Sequence, residues 1–341
     1  MDLLDRLQLE HPVVQAGMGG GTAGAELAGA VSAAGGLGTV GILLSAQAMR
    51  EEIARARDLA HGRPVAANLL VPFARPAHAQ ACIDGGARCV VLFCGFHRGL
   101  VQRLRDHGVL VLQQVGTVPQ AKRALAEGAD GLIAQGREAG GHLLGVEPAM
   151  DFLPRVLDIA GEHPVLLAGG IADANDVRRA LAAGAKAAVA GTRFLLTQEC
   201  AAHAAYKQRL LDAHETLETL LFSVGWHERH RVAPNAATHR WCAPRGGPAL
   251  GAGPAAVVAP GPAPVLALNR ALAPLLRRLP PSASAAALRR QRAWLPLYGP
   301  ASILRGMDER LVDVTPLYAG DTVKRIDSVV PAAEAVRQLS P

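Results

Sequence analysis

Aromatic residues are scarce in this chain, with three tryptophans, three tyrosines and six phenylalanines in 341 residues. Lysine is nearly missing: only Lys122, Lys186, Lys207 and Lys324 occur, so arginine carries almost all of the positive side of a net charge of +6. The arginines are scattered, with small clusters at Arg277-Arg278 and Arg289-Arg290. A nucleic-acid surface wants a basic stripe interleaved with stacking aromatics, and none is present. What the charge supports is a mild pull on anionic small molecules. The five cysteines, Cys82, Cys89, Cys94, Cys200 and Cys242, form no Cys-x-x-Cys pair or metal spacing. Their odd number, and an opening Met-Asp-Leu-Leu-Asp-Arg without the basic-then-apolar layout of a leader, lead us to expect a reducing cytoplasm. No uninterrupted apolar run approaches the roughly 20 residues that span a bilayer, so no membrane partner is expected. Gly-x-Ser-x-Gly and the Walker loop are also missing. Gly19 to Gly24 fits a bare Gly-x-Gly-x-x-Gly, but the acidic residue that a dinucleotide site wants further on is not there.

What is there is alanine, glycine and a repeat. Half the residues are hydrophobic and 19% are charged, the balance of a folded protein. Residues 11–200 repeat one unit: a short apolar run, a polar or glycine loop, then an alanine-rich helical stretch ending in glycine. Eight apolar runs read as strands: Val13–Ala16, Gly38–Ile42, Val65–Leu69, Cys89–Phe93, Val109–Gln113, Gly131–Ala134, Val165–Ala168 and Ala187–Ala190. Gly35, Gly85-Gly86, Gly108, Gly128 and Gly184 are placed as left-handed helix ends, and Ser45 and Asp173 as N-caps. Strands alternating with helices pair in parallel through right-handed crossovers, and eight such units predict a (β/α)8 TIM barrel. An open doubly wound sheet is the structural alternative.

After about residue 205 the pattern breaks. The spacing predicts helices at 206–221, 265–278, 284–294 and 332–339, with a proline-, glycine- and alanine-rich loop at 243–265. We read 1–205 as the barrel, 206–310 as a smaller, mostly helical substrate or lid domain, and 311–341 as a tail returning to the barrel.

Candidate site residues follow from the barrel, whose chemistry gathers at the C-terminal ends of its strands. Ala168-Gly169-Gly170 ends the seventh strand and Ala190-Gly191-Thr192 the eighth, the usual place for a phosphate. Gln15-Ala16-Gly17-Met18 follows the first strand. Asn68, Gln114 and Gln135 put amides at three strand ends, where they can bond ring heteroatoms or satisfy buried backbone groups. Gln135-Gly136-Arg137-Glu138-Ala139-Gly140-Gly141-His142 is the most informative stretch, a glycine-rich turn ending in a group that carries a proton near neutral pH. His97 follows the fourth strand and can also reach the mouth. His227, His230 and His239 cluster loosely without a metal pattern and are expected to be solvated.

These motifs resemble the nitronate monooxygenases, flavin-dependent enzymes formerly called 2-nitropropane dioxygenases. The pieces that carry the resemblance are Gln15 to Met18, Gly35 to Val40, Ala67-Asn68-Leu69, Gly128 to Asp130, Gln135 to His142, Ala168 to Asp173 and Gly191 to Phe194. Tyr206-Lys207, Val224 to Trp226, His230 to Val232 and Pro316 to Gly320 add to it. The resemblance implies one FMN, with its phosphate on Gly169, Gly170, Gly191 and Thr192. Met18, Asn68, Gln135 and Gly140 would hold the ring and ribityl chain, and His142 would be the base or hydrogen-bond donor at the substrate. The implied reaction turns an alkyl nitronate, and by extension a nitroalkane, into a carbonyl compound and nitrite with O2. Departures stand at Gly17, where the family usually has proline, at Val189 and Ala190, and across 243–293. Two other enzymes share the loop, flavin-dependent enoyl-acyl-carrier-protein reductase and NADH:quinone reductase, both needing NAD(P)H. A non-catalytic phosphate-ligand binder is the alternative outside enzymes.

Overall fold

In a computed structural model, residues 3–43, 45–242, 258–259, 267, 270–271 and 288–341 are described. They divide into two compact units. The first comprises 1–139, 144–201 and 328–341, and the second 140–143 and 202–327.

The first unit is a parallel barrel. Its strands are β1 (Val13–Gln15), β2 (Gly38–Val40), β3 (Val65–Leu70), β4 (Cys89–Phe93), β5 (Leu110–Val115) and β6 (Gly131–Gln135). The two-residue β7 (Gly141–His142) belongs to the second unit, and β8 (Val165–Ala168) and β9 (Ala187–Ala190) complete the barrel set. All eight predicted strands are present. They pair in the order β1-β9-β8-β6-β5-β4-β3-β2, all parallel. The ring closes between its ends, where Val14 bridges Leu37 and the Gln15 N–H donates to the Leu37 carbonyl at 2.9 Å. Across the same seam the Thr39 N–H donates to Gln15 Oε1 at 2.8 Å.

Period-two alternation sorts the strand side chains into two cores. Val14, Leu37, Ala66, Cys89, Val91, Leu110, Leu112, Ile133, Leu166, Ala168, Ala187 and Val189 fill the barrel interior as one cluster. Their outward-facing neighbours, such as Val40, Val65, Ala67, Leu69, Val90, Leu92 and Val111, pack under the surrounding helices. The helix at Ala46–Leu59 shows how: Met49, Ile53 and Ala56 are spaced to form one apolar stripe, and all are buried. Caps decide where these helices start. The Ser45 side chain accepts from the Ala48 N–H, Thr117 from Gln120, and Asp173 from Asn175 and Asp176. Left-handed glycines follow helix ends as expected, at Gly35, Gly86, Gly108, Gly128 and Gly184. The terminal helix spans Ala332–Leu339, as predicted, and buries Ala332, Ala335, Val336 and Leu339.

The second unit departs from its expected helical character by adding a sheet. Its strands are β7, β10 (Leu217–Thr219), β11 (His230–Ala233), β12 (Val258–Ala259) and β13 (Leu317–Tyr318). The predicted helix at 206–221 occupies only Ala204–Leu211 and ends at Asp212; Leu217–Thr219 pairs instead with His230–Val232. Sheet partners remote in sequence outweigh local helix preference there. β11 is the centre of this unit. β10 lies antiparallel along one side of it. On the other side β7 covers His230 and Arg231, and β13 covers Val232 and Ala233. Most of the predicted helix at 265–278, the start of that at 284–294 and most of the loop at 243–265 lie outside the described residues.

Candidate functional site

Within the barrel, inward-facing amides stand two residues beyond core positions: Asn68 after Ala66, Gln114 after Leu112, Gln135 after Ile133. They therefore face the interior at its C-terminal end. Asn68 is 4% exposed and its Nδ2 donates to the Val91 carbonyl at 3.1 Å. Gln135 is buried, and its Oε1 accepts from Leu144 N–H at 2.7 Å and Gly145 N–H at 3.3 Å. Its side chain thus pins the returning end of the loop that begins at Gly136. Glu138 pins the middle. Its two carboxylate oxygens take the Ala149 N–H at 3.0 and 3.1 Å, capping the helix Ala149–Ala160. The motif's glutamate is therefore a scaffold residue, a role that its spacing did not reveal.

The phosphate candidates leave the sheet on neighbouring strands. Ala168 pairs with Val189, so Gly169-Gly170 and Gly191-Thr192 emerge beside each other. Gly169 and Gly170 have φ of 108° and 77°, a conformation side chains resist. Gly191 starts the short helix Thr192–Leu195, and Thr192 is buried. Met18 is half-buried, and its carbonyl accepts from the Ala23 N–H at 3.0 Å. At Gly17 a Cβ would fall 2.3 Å from Asn68 Cβ on this backbone. His97 does not serve the mouth: its Nδ1 accepts from Leu100 N–H at 3.1 Å as an N-cap.

In the second unit, Gly140 packs on backbone, for a Cβ there would lie 2.4 Å from Gly320 N. Gly141, at φ 75°, turns the chain into β7. His142 is half-buried and stacks on Trp226, ring centroids 3.6 Å apart at 22°. His230 and Tyr318 are tilted against it at 5.5 and 5.3 Å. Burial, then the neighbouring His230, holds its pKa well below the ordinary imidazole value. At neutral pH it is an uncharged imidazole.

His230 corrects an expectation. It is fully buried, not solvated, because it lies on the central strand β11. Its Nδ1 meets the Glu228 carbonyl at 3.0 Å and its Nε2 accepts from Phe222 N–H at 3.4 Å, which selects the Nδ1–H tautomer. Burial lowers its pKa to about 4. On the opposite face of β11, Arg231 binds its cross-strand partner Glu218 at 2.7 Å and Asp321 at 3.2 Å. Sequence reasoning placed Trp226, His230 and Tyr318 in matching segments without a role; the pairing of β7 and β13 on β11 brings His230 and Tyr318 to His142, and Trp226 stacks on it from the loop before β11.

Among the described residues no group of three or more His, Cys, Asp or Glu is gathered for a metal. Cys82 and Cys89 are buried thiols with pKa pushed up to about 12 by burial. No described helix is long and apolar enough to cross a membrane.

A model of the nitronate monooxygenase family matches residues 2–249. The chain belongs to the nitronate monooxygenase family. The nitronate monooxygenase of Pseudomonas aeruginosa is 31% identical over 251 residues, covering 60% of this chain and 71% of that protein. A relative from Mycobacterium tuberculosis, named (3aS,4S,5R,7aS)-5-hydroxy-7a-methyl-1-oxo-octahydro-1H-indene-4-carboxyl-CoA dehydrogenase, is 37% identical over 217 residues. That match covers 62% of this chain and 60% of the relative, so the chain spans about three fifths of that protein's length. Among solved structures, a nitroalkane oxidase from Streptomyces ansochromogenes has a TM-score of 0.73 at 27% identity, covering 99% of this chain and 96% of that one. FabK from Thermotoga maritima shares the fold, with a TM-score of 0.74 at 23% identity over 99% of this chain and 94% of its own. The TIM-barrel class expected from the eight-unit repeat is the one found.

Proposed function

We propose that this family member is an FMN-dependent oxidoreductase that oxidises alkyl nitronates with O2 to a carbonyl compound and nitrite. The observation that carries the reading is an uncharged His142 in an aromatic surround, on the loop that the resemblance assigns to the substrate.

The residues fit the cofactor. Two adjoining strand ends offer a backbone cradle without side chains at Gly169, Gly170 and Gly191, and Thr192 adds a hydroxyl, which suits a phosphate. Asn68 and Gln135 offer amides on the inward face, which suits ring heteroatoms. We assign the phosphate to Gly169, Gly170, Gly191 and Thr192, and the ring and ribityl chain to Met18, Asn68, Gln135 and Gly140. When bound, FMN supplies the two-electron acceptor that the protein side chains lack.

His142 takes the proton work. With a neutral nitroalkane, its imidazole accepts the proton from the carbon beside the nitro group. The C–H electron pair then moves onto the nitro group and leaves a nitronate. With a preformed nitronate no proton needs to move, and an uncharged ring can still offer its N–H to the anion. Trp226 and Tyr318 fix the ring plane, which limits the directions from which the carbon acid can approach.

A second reading draws on the dehydrogenase relatives, whose printed name has a CoA thioester as substrate. The carbon beside a thioester carbonyl is also a weak acid, so the same histidine would serve. Anaerobic absorbance titrations of the purified protein separate these readings. Bleaching of a flavin spectrum by propyl-2-nitronate supports the first. Bleaching by an acyl-CoA, or by NADH or NADPH, moves the assignment to a dehydrogenase or reductase. A protein that neither contains nor binds FMN overturns the proposal.

A further inference from the structure

We propose that Gln114 sets how readily the bound flavin accepts electrons, its Nε2–H donating to the polar edge of the ring; this rests on the flavin reading above. The assignment starts from the layers of the barrel core. In such a barrel, alternate strands supply the four side chains of one layer. Val14, Ala66, Leu112 and Leu166, from β1, β3, β5 and β8, form one such layer of the buried core. Two residues further along each, the next inward layer from the same side of the pleat is Ala16, Asn68, Gln114 and Ala168. Its β1 and β8 half is methyl groups, and its β3 and β5 half is amides. Gln135 adds a third amide on β6, which pairs with β5. The polar edge of a planar ring therefore finds its partners over β3, β5 and β6.

The other two amides are tied to backbone, Asn68 through Nδ2 to Val91 O and Gln135 through Oε1 to the Leu144 and Gly145 N–H groups. Gln114 is half-buried, and among the described residues its side-chain amide has no hydrogen-bond partner. Its stem is nonetheless fixed. Gln113, which points to the opposite face, donates from Nε2 to the Leu92 and Gly95 carbonyls at 3.0 and 3.1 Å. The Gly116 N–H donates to Gln120 Oε1 at 2.8 Å, and a Cβ on Gly116 would lie 2.0 Å from the Leu144 carbonyl carbon. Residue 114 thus holds a free donor on a strand end that is clamped on both sides. Two-electron reduction puts negative charge on the N1 and C2-carbonyl region of a flavin. A donor there holds the reduced ring more tightly than the oxidised one, because hydrogen bonds to charged acceptors are the stronger kind, and so raises the reduction potential. A neutral amide does this less than a cation and more than an apolar side chain.

The test is an anaerobic redox titration of the FMN-loaded protein against a reference dye, together with titration of apoprotein by oxidised FMN. Neither measurement uses a nitronate, so the outcome is independent of which substrate the enzyme takes. Gln114→Leu should lower the potential, with reduced FMN losing on the order of tenfold more affinity than oxidised FMN. Gln114→Glu should lower it at least as far, and Gln114→Lys should raise it above wild type. Equal potentials in wild type, Leu and Lys variants overturn the proposal. So does the reverse order, or an equal loss for oxidised and reduced FMN, which would make the residue merely structural. If the Lys variant does not fold or load, the Leu and Glu variants decide: a wild-type potential in both overturns the idea. A wild type that binds no FMN sinks the flavin reading before any variant is made, and this assignment with it.

Discussion

Lowering the pH should unfold the second unit selectively, and His230 sets much of the amount. The ring is neutral in the folded protein, both nitrogens engaged by backbone groups, with a pKa lowered to about 4. In the unfolded chain it titrates at about 6.5. Between these values the unfolded state binds more protons, so stability rises with pH. The full contribution is present above about pH 6.5 and is lost as the pH falls, levelling off below about pH 4. Integrated from about pH 7.5 to about pH 4.5, the loss is roughly 2.5 kcal/mol for this one residue. His142, also held well below its ordinary value, titrates in the same direction. The assay is urea denaturation followed by tryptophan fluorescence. All three tryptophans, Trp226, Trp241 and Trp294, lie in the second unit, so the signal reports that unit alone. His230→Gln keeps a donor and an acceptor but cannot titrate. It should be less stable than wild type at the higher pH, and the gap should shrink by roughly 2.5 kcal/mol by about pH 4.5. Parallel stability curves for the two proteins across that range would refute the argument.

Other predictions concern single contacts. His142→Ala should retain FMN and lose turnover of neutral nitroalkanes far more than of preformed nitronates; equal losses on the two in steady-state assays would remove the histidine from proton transfer. Glu218→Ala leaves the Arg231 guanidinium in a buried position with Asp321 as its remaining carboxylate, so a cost of about 3 kcal/mol is expected in urea denaturation. Glu138→Ala strips the cap from the Ala149–Ala160 helix and should cost about 1 kcal/mol, with Glu138→Gln recovering part of it in thermal melts. Gly41→Ala should destabilise the barrel by about 3 kcal/mol or more, since the new carbon meets the Met18 carbonyl and no flexible side chain.

The barrel was readable because its physics is local. A parallel strand buried on both faces needs an unbroken apolar run, and each helix end needs its glycine, so Val165–Ala168 and Gly184 announce themselves. The pairing of Gly169-Gly170 with Gly191-Thr192 followed from strand order alone. The second unit resisted because its strands are two to four residues long and find their partners far along the chain. Nothing near Leu217 says that Val232 lies opposite, and helix preference won the reading by default. His230 looked like one more polar residue in a histidine-rich stretch until β11 proved central. Glu138 was read only as a member of its motif, with no role of its own, because the N-terminus it serves begins at Ala149, beyond the span over which a cap is recognised.

Two short strands laid end to end have a bearing on how this protein could be divided. β11 exposes its second edge to β7 over His230 and Arg231 and to β13 over the next two residues. A fragment consisting of 202–327 would keep β13 but lose β7, since Gly141 and His142 come from the barrel's stretch of sequence. Half of that edge would then carry bare N–H and C=O groups beside an aromatic cluster, the kind of template on which a second copy can pair. The fragment should therefore self-associate more strongly than the whole chain. In the whole chain, slow hydrogen exchange along this edge of β11 would signal that the histidine's loop is seated.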